Sequence, residues 1–274
     1  MLNTVCEIDH CTGCNACVNK CSKGAIFIED SGFALNACID IDKCINCGIC
    51  KKTCPNINEV YFHSPLEIIQ GWTLSEKIRN NSSSGGFAST AILKCIEEGY
   101  SVFTCCFVDN ELVYDKVKDS SDLVRFAGSK YVKSDTKNIY VNIRDELKAG
   151  NKVLFIGLPC HVAGLYAFLD NMYTERLISI DLICHGSPSQ KIFKKMIGEN
   201  GFEATNFGEL SFRKHADFST TFDNRKGFFY WSIPFLKGQI YTENCYLCKY
   251  ARIERKERRS SIPIMIWAGR SGNG

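Results

Sequence analysis

No stretch of this 274-residue chain approaches the ~20 consecutive apolar residues that a membrane-spanning helix needs, so no span is expected. The N-terminus, Met1-Leu2-Asn3-Thr4-Val5-Cys6, has neither the basic start nor the apolar core of a signal peptide. Excess charge of one sign is nearly absent. The 33 basic and 30 acidic residues leave a net +3, which gives no case for nucleic acid or a membrane surface. No Gly-x-Gly-x-x-Gly run follows a strand-like segment, so the usual nicotinamide dinucleotide loop is missing. A different hydride donor, or an electron partner protein, is preferred. Cysteine, by contrast, is abundant, with 17 residues. Without an export signal, that number points to a reducing cytoplasm and to metal ligation rather than disulfides. Apolar residues at 45% and aromatics at 12% suffice for a sizeable core. The length suits a small domain plus one of about 200 residues.

Eight cysteines form two copies of one ladder. Cys11-x-x-Cys14-x-x-Cys17-x-x-x-Cys21 returns 33 residues later as Cys44-x-x-Cys47-x-x-Cys50-x-x-x-Cys54, and Ile8-Asp9 returns as Ile41-Asp42. At this spacing a short loop wraps three thiolates around one iron–sulfur cube, while the fourth cysteine reaches the other cube. One 4Fe-4S cluster is therefore expected on Cys11, Cys14, Cys17 and Cys54, and the other on Cys44, Cys47, Cys50 and Cys21. Zinc sites usually set two cysteine pairs apart by a longer loop, whereas here four thiols fall within eleven residues twice. Residues 5–61, with Pro55 after the last cysteine, resemble a bacterial two-cluster ferredoxin domain; Ser22 replaces the proline expected after Cys21. Cys6 and Cys38 do not obey the offset and are expected to be small buried apolar residues.

The cysteine-dense part ends near His63-Ser64-Pro65. A ferredoxin-type domain is expected over 1–62, a linker over 63–67 and a second domain over 68–250. The pattern predicts a strand at 68–74 and a helix at 87–98 capped by Ser84 and stopped by Gly99. Strands at 100–108 and 112–117 should be joined by a turn at Asp109-Asn110. A helix over 139–148 follows. Two βα units come next: a strand at 153–156 into a helix from Pro159, and a strand at 177–183 into a helix from Pro188, proline being preorganised for a first helical position. Shorter strands are expected at 210–213 and 228–233. The expected fold is an α+β ferredoxin domain (two-cluster) followed by an α/β domain with a mainly parallel central sheet.

Chemistry gathers where strands hand over to helices. Cys160, in Gly157-Leu158-Pro159-Cys160, and Cys184, in Cys184-His185-Gly186-Ser187-Pro188-Ser189, would share the carboxyl edge of a parallel sheet, where open α/β sheets place their sites. Joined by Cys245 and Cys248 they make a four-thiolate set, read as a third 4Fe-4S cluster. A structural zinc, a redox Cys-x-x-Cys and unrelated buried cysteines are the alternatives. Cys95, Cys105 and Cys106 are expected in the core. Ser83, Ser84, Gly85 and Gly86, just before a helix, could offer hydroxyls and N–H groups to a phosphate. Lys130 could reach a phosphate or an anionic ring edge. His161 and His185, each beside a candidate ligand, could tune a cluster or carry protons.

The runs Ser82-Ser83-Ser84-Gly85-Gly86-Phe87, Gly128-Ser129-Lys130-Tyr131-Val132, Phe155 to Leu165, Asp181 to Ser189 and Cys245 to Tyr250 resemble the beta subunit of coenzyme F420 hydrogenase/dehydrogenase, a flavin-containing electron-transfer family. The resemblance spans about 66–250. It implies an FAD, held in part by Ser83, Ser84, Gly85, Gly86, Ser129 and Lys130, a 4Fe-4S cluster in the flavin domain, and electron exchange with a reduced deazaflavin or another small redox partner. Some relatives lie beside polysaccharide-synthesis enzymes, so the donor does not follow from the family. Residues 251–274 depart from the family pattern, as a frameshifted or prematurely ended reading frame would, and poor packing is expected after about Lys256. The expected function is a cytoplasmic iron–sulfur flavoprotein oxidoreductase exchanging electrons with a redox protein or small molecule. A non-catalytic electron-relay subunit is the alternative.

Overall fold

The computed structural model describes residues 3–58, 62–199, 210–213, 221–222, 225–226, 229–251 and 261–264. The ladder repeat is also a repeat of backbone shape. Each copy leads into a short helix, α1 (Ala16–Lys20) and α2 (Ile49–Thr53). The residue before each helix is left-handed, Asn15 at φ 60° and Gly48 at φ 72°, and each helix ends on the fourth cysteine, Cys21 or Cys54, in extended conformation. Alternating handedness of this kind turns successive N–H groups into a concavity for anions. Gly13 N donates to Cys11 Sγ at 3.3 Å, and Asn46 N donates to Cys44 Sγ at 3.4 Å, the same place in each copy. Between the helices β1 (Ile26–Asp30) and β2 (Leu35–Ile39) pair antiparallel.

The second domain opens with α3 (Glu76–Asn80) and α4 (Phe87–Glu97). Then come β3 (Ser101–Val108) and β4 (Glu111–Val117), an antiparallel hairpin. Its turn residues, Asp109 at φ 48° and Asn110 at φ 61°, both sit in the left-handed region, as a two-residue turn that matches strand twist requires. α5 (Leu123–Phe126) and α6 (Ile139–Lys148) lead into β5 (Val153–Gly157), α7 (Pro159–Leu169), β6 (Leu177–Leu182) and α8 (Gln190–Glu199). A short pair, β7 (Thr221–Phe222) and β8 (Arg225–Lys226), precedes α9 (Phe229–Leu236), α10 (Glu243–Tyr246) and β9 (Ser261–Ile264). The main sheet has the order β4-β3-β5-β6-β9 and is parallel except for β4.

Strand alternation sorts side chains to two faces. Val102, Cys106, Leu154, Ile156 and Ile180 pack beneath α4 and α5, whereas Phe103, Tyr114 and Phe155 pack with α6 and α7. α7 is buried along almost its whole length, and a helix apolar on all sides must be covered on all sides. The sheet covers one side and the ferredoxin-type domain the other, with Cys14 and Ala16 joining the same core cluster as Leu165 and Phe168.

Polar contacts fasten this junction. Asn15 Nδ2 donates to Asp135 Oδ1 at 2.6 Å, Asn19 Nδ2 to Lys137 O at 2.6 Å and Lys20 Nζ to Phe168 O at 2.8 Å.

Several local expectations are corrected. Residues 68–74 form no strand, and Ile68, Ile69, Trp72 and Leu74 are exposed. The cap of α4 is left-handed Gly86, not Ser84. α8 begins after Ser189, whose Oγ accepts from Ile192 N at 3.3 Å, rather than at Pro188. Residues 210–213 form no regular strand. Where a strand was expected at 228–233, α9 forms instead, because Trp231 and Phe235, four apart, bury one helical face; Phe228 lies outside the described residues. In the tail, Ser261–Ile264 pair along β6 despite the expectation of poor packing, and the neighbouring residues lie outside those described. Among the described residues no helix is long and apolar enough to cross a membrane.

Candidate functional site

The ladder cysteines fall into two groups. Cys11, Cys14, Cys17 and Cys54 are all buried. Cys21, Cys44, Cys47 and Cys50 together line a cavity of about 30 Å³, with Cys47 exposed and the other three half-buried. The spacing rule crosses the fourth cysteines in this way. Within the buried group, Cys6 packs in one cluster with Cys11, Cys17 and Cys54, and nothing in the ladder spacing marks that place. Its nearness is the largest influence lowering the Cys54 thiol, while burial pushes Cys14 up to about 12. Cys38 is buried, its thiol 3.6 Å from Glu29 Oε2. Among the described residues, no three cysteine, histidine or acidic side chains form a group able to hold a single metal ion.

The second gathering is at the carboxyl ends of β5 and β6. Cys160 sits in the first turn of α7 and Cys184 just past β6, on neighbouring parallel strands. Cys245 lies in α10 and Cys248 just beyond it. Lys133 draws these thiols together. It is 5% exposed, and its Nζ lies 3.1 Å from Cys160 Sγ. Burial disfavours its ammonium, but the charges of Cys160, Cys245 and Cys184 outweigh this and raise its pKa. Burial pushes Cys184 up to about 12. Sequence reasoning passed over Lys133, since an isolated lysine carries no signal of burial.

Beside these thiols opens a cavity of about 370 Å³, walled by Ser82–Ser84 and Gly86, by Gly128–Val132, and by Cys184, His185 and Gly186. Ser83 ties two walls, its Oγ accepting from Ser129 N at 2.8 Å and donating to Arg213 O at 3.2 Å. Ser84 Oγ is buried without a partner. Gly85 and Gly86 are needed for close approach: a Cβ on Gly85 would lie 3.1 Å from Gly71 O, and one on Gly86 2.6 Å from Thr73 Cγ2. Lys130 lines the cavity, but its ammonium donates to the carbonyls of Phe126, Ala127 and Gly128 at 2.9, 2.9 and 3.1 Å. That uses all three N–H donors, so the expectation that Lys130 grips a phosphate is not met.

The two histidines differ. His185 lines the cavity, its Nδ1 2.6 Å from Tyr241 Oη, and that hydroxyl donates to Phe235 O at 2.7 Å. The tyrosine's one proton is thereby used, so Nδ1 carries the hydrogen and, in the neutral ring, Nε2 is the acceptor. His161 is fully buried, paired with Tyr114 Oη at 2.8 Å, and does not line the cavity. Burial, then the charge of Lys133, hold its pKa well below the usual value, so it stays neutral.

Residues 10–57 match the 4Fe-4S dicluster domain, and residues 150–255 match the family described as the C terminus of the coenzyme F420 hydrogenase/dehydrogenase beta subunit. A solved structure of the F420-reducing NiFe hydrogenase complex from Methanosarcina barkeri, obtained by xenon derivatization, is similar at 17% identity and a TM-score of 0.41. The similarity covers 51% of this chain and 50% of that one, so the chain spans about half the length of this neighbour. No curated protein matches the chain.

Proposed function

The chain joins a 4Fe-4S dicluster domain to a C-terminal domain of the coenzyme F420 hydrogenase/dehydrogenase beta subunit family, an oxidoreductase family, and from that premise we propose an iron–sulfur flavoprotein. In this reading it passes electrons between two ferredoxin-type 4Fe-4S clusters and an FAD, by way of a third cluster, and exchanges hydride with a deazaflavin or another small redox partner. The observation that carries the reading is the cavity of about 370 Å³ walled by the serine-glycine loop on one side and by Cys184 and His185 on the other. Its size lies within the ~300–1,000 Å³ of cofactor pockets.

The residues present fit these groups. The two ladder groups supply thiols and inward N–H donors. Cys160, Cys184, Cys245 and Cys248 supply four more thiols, with the Lys133 ammonium to offset their charge. Ser84 Oγ, buried and unpartnered, suits a phosphate oxygen, as do the N–H groups that open α4. Bound FAD would supply the exchange between two-electron hydride transfer and single electrons. The protein's own part is to orient the donor in the cavity, exclude water, and hold a proton at His185 Nδ1, leaving Nε2 as an acceptor toward the cavity. Tyr241, raised by burial to about 12, stays a phenol and fixes that tautomer.

Anaerobic purification and reconstitution with iron and flavin assays test the reading. About one FAD and about twelve irons per chain, four for each cube, are expected. Brown protein that retains iron but never flavin would instead identify an electron-relay subunit.

A further inference from the structure

Tyr250 lines neither the serine-glycine cavity nor the small one at Cys47, and the ladder pattern does not mark it. It is nevertheless 5% exposed, and its hydroxyl is buried without a hydrogen-bond partner. On one side its ring packs with Cys160, Ala163 and Cys248, with Phe62 edge-on at 6.0 Å. On the other side the chain beside it reaches the ferredoxin-type domain, through Lys249. Tyr250 therefore stands at the junction of the two thiol sets with a hydroxyl proton that no protein group accepts.

The backbone holds it there. Neighbouring Lys249 donates from Nζ to the carbonyls of Pro55 and Asn58, just past Cys54. Opposite, Gly164 follows Cys160 by one turn of α7, so both lie on one helical face. A Cβ on Gly164 would lie 2.9 Å from Cys14 Cβ and 3.0 Å from Cys14 Sγ. The two thiol sets thus approach each other across Gly164, and Tyr250 packs against Ala163, the residue before it.

We propose that Tyr250 is the positioning residue joining these two centres, its hydroxyl donating a hydrogen bond to a sulfur of one of them. Electrons would then cross between the Cys11, Cys14, Cys17, Cys54 set and the Cys160, Cys184, Cys245, Cys248 set where Cys14 meets Gly164 and Tyr250 packs on Ala163. The inference rests on the three-cluster reading. One electron leaves the group held by one set and one enters the group held by the other; no bond forms or breaks and no proton moves. A hydrogen bond to a cluster sulfur stabilises the more negative, reduced form and so raises its potential. The half-exposed Cys21, Cys44, Cys47, Cys50 set becomes the outer end of the relay.

The test compares the reconstituted full chain with Tyr250→Phe by iron content and by potentiometric titration followed by electron paramagnetic resonance. Equal iron is expected, with one midpoint potential shifted to a more negative value and the remaining ones unmoved. Identical midpoints at equal iron overturn the proposal while the clusters stand. Loss of about four irons in the variant alone also overturns it, placing Tyr250 in assembly of the site rather than its tuning. About eight irons per chain in the parent remove the third cluster, and with it both that reading and this bridge.

Discussion

At Gly186 a single backbone angle holds part of the cavity wall in shape. Its φ is +146°, and a Cβ there would lie 2.1 Å from the Tyr241 ring. The close approach lets Tyr241 reach His185 Nδ1 and Phe235 O together. Gly186→Ala must move the ring or the loop. We expect it to cost about 1–3 kcal/mol, read by urea unfolding, and to lower flavin retention while ladder-domain iron stays unchanged. A variant as stable as the parent, with normal flavin, would show that the loop yields freely. Lys133 illustrates a different residue-level effect: a buried ammonium is costly unless it is partnered, and its Nζ lies 3.1 Å from Cys160 Sγ.

Among the elements, the sheet edge by β4 is clamped through one carboxylate. Glu146 of α6 accepts from Lys116 Nζ of β4 at 2.6 Å, from Ser101 Oγ of β3 at 2.9 Å and from Asn151 Nδ2 at 2.6 Å. The bond from Lys116 is the largest influence holding its carboxyl below the ordinary value. A depressed carboxyl pKa contributes stability above the unfolded value and loses it as pH falls through the folded one. Glu146→Gln should therefore cost about 0.5 kcal/mol near neutrality, the scale of a partly exposed pair. The gap between parent and variant should close as the pH falls below about 4. Denaturant melts across pH check both points, and a gap that persists in acid would assign the loss to packing. α7 plays the larger structural part, since its apolar circumference requires both the sheet and α1.

Across the whole molecule, two ladder copies of identical cysteine spacing have opposite surroundings. The copy that begins at Cys11 is pressed against α7, whereas the loop from Cys44 to Cys50 faces solvent. Iron should leave in two stages under a chelator: about four irons released quickly from the Cys21, Cys44, Cys47, Cys50 set, and the remainder slowly. Cys47→Ser should abolish the fast stage and spare the slow one. A single-stage release, or loss of the slow stage in that variant, would contradict the assignment of the exposed set.

The cysteine ladder, the two βα units and the placement of Cys160 and Cys184 at the ends of neighbouring strands were legible in the sequence, because spacing along a chain and strand-to-helix handover are local properties. So was the Asp109-Asn110 turn, whose residue types tolerate left-handed backbone. Other features were not legible. The apolar run at 68–74 joins no sheet and stays exposed, and Trp231 and Phe235 bury a helical face instead of forming a strand. Lys133 and Tyr250 gain their meaning from thiols distant in sequence. Which half of the repeat docks was settled only in three dimensions. Two copies with the same ligand spacing present the same local chemistry, and only the complementarity of Cys14 and Ala16 to the α7 face, with Gly164 leaving room, makes one the inner end and the other the outer.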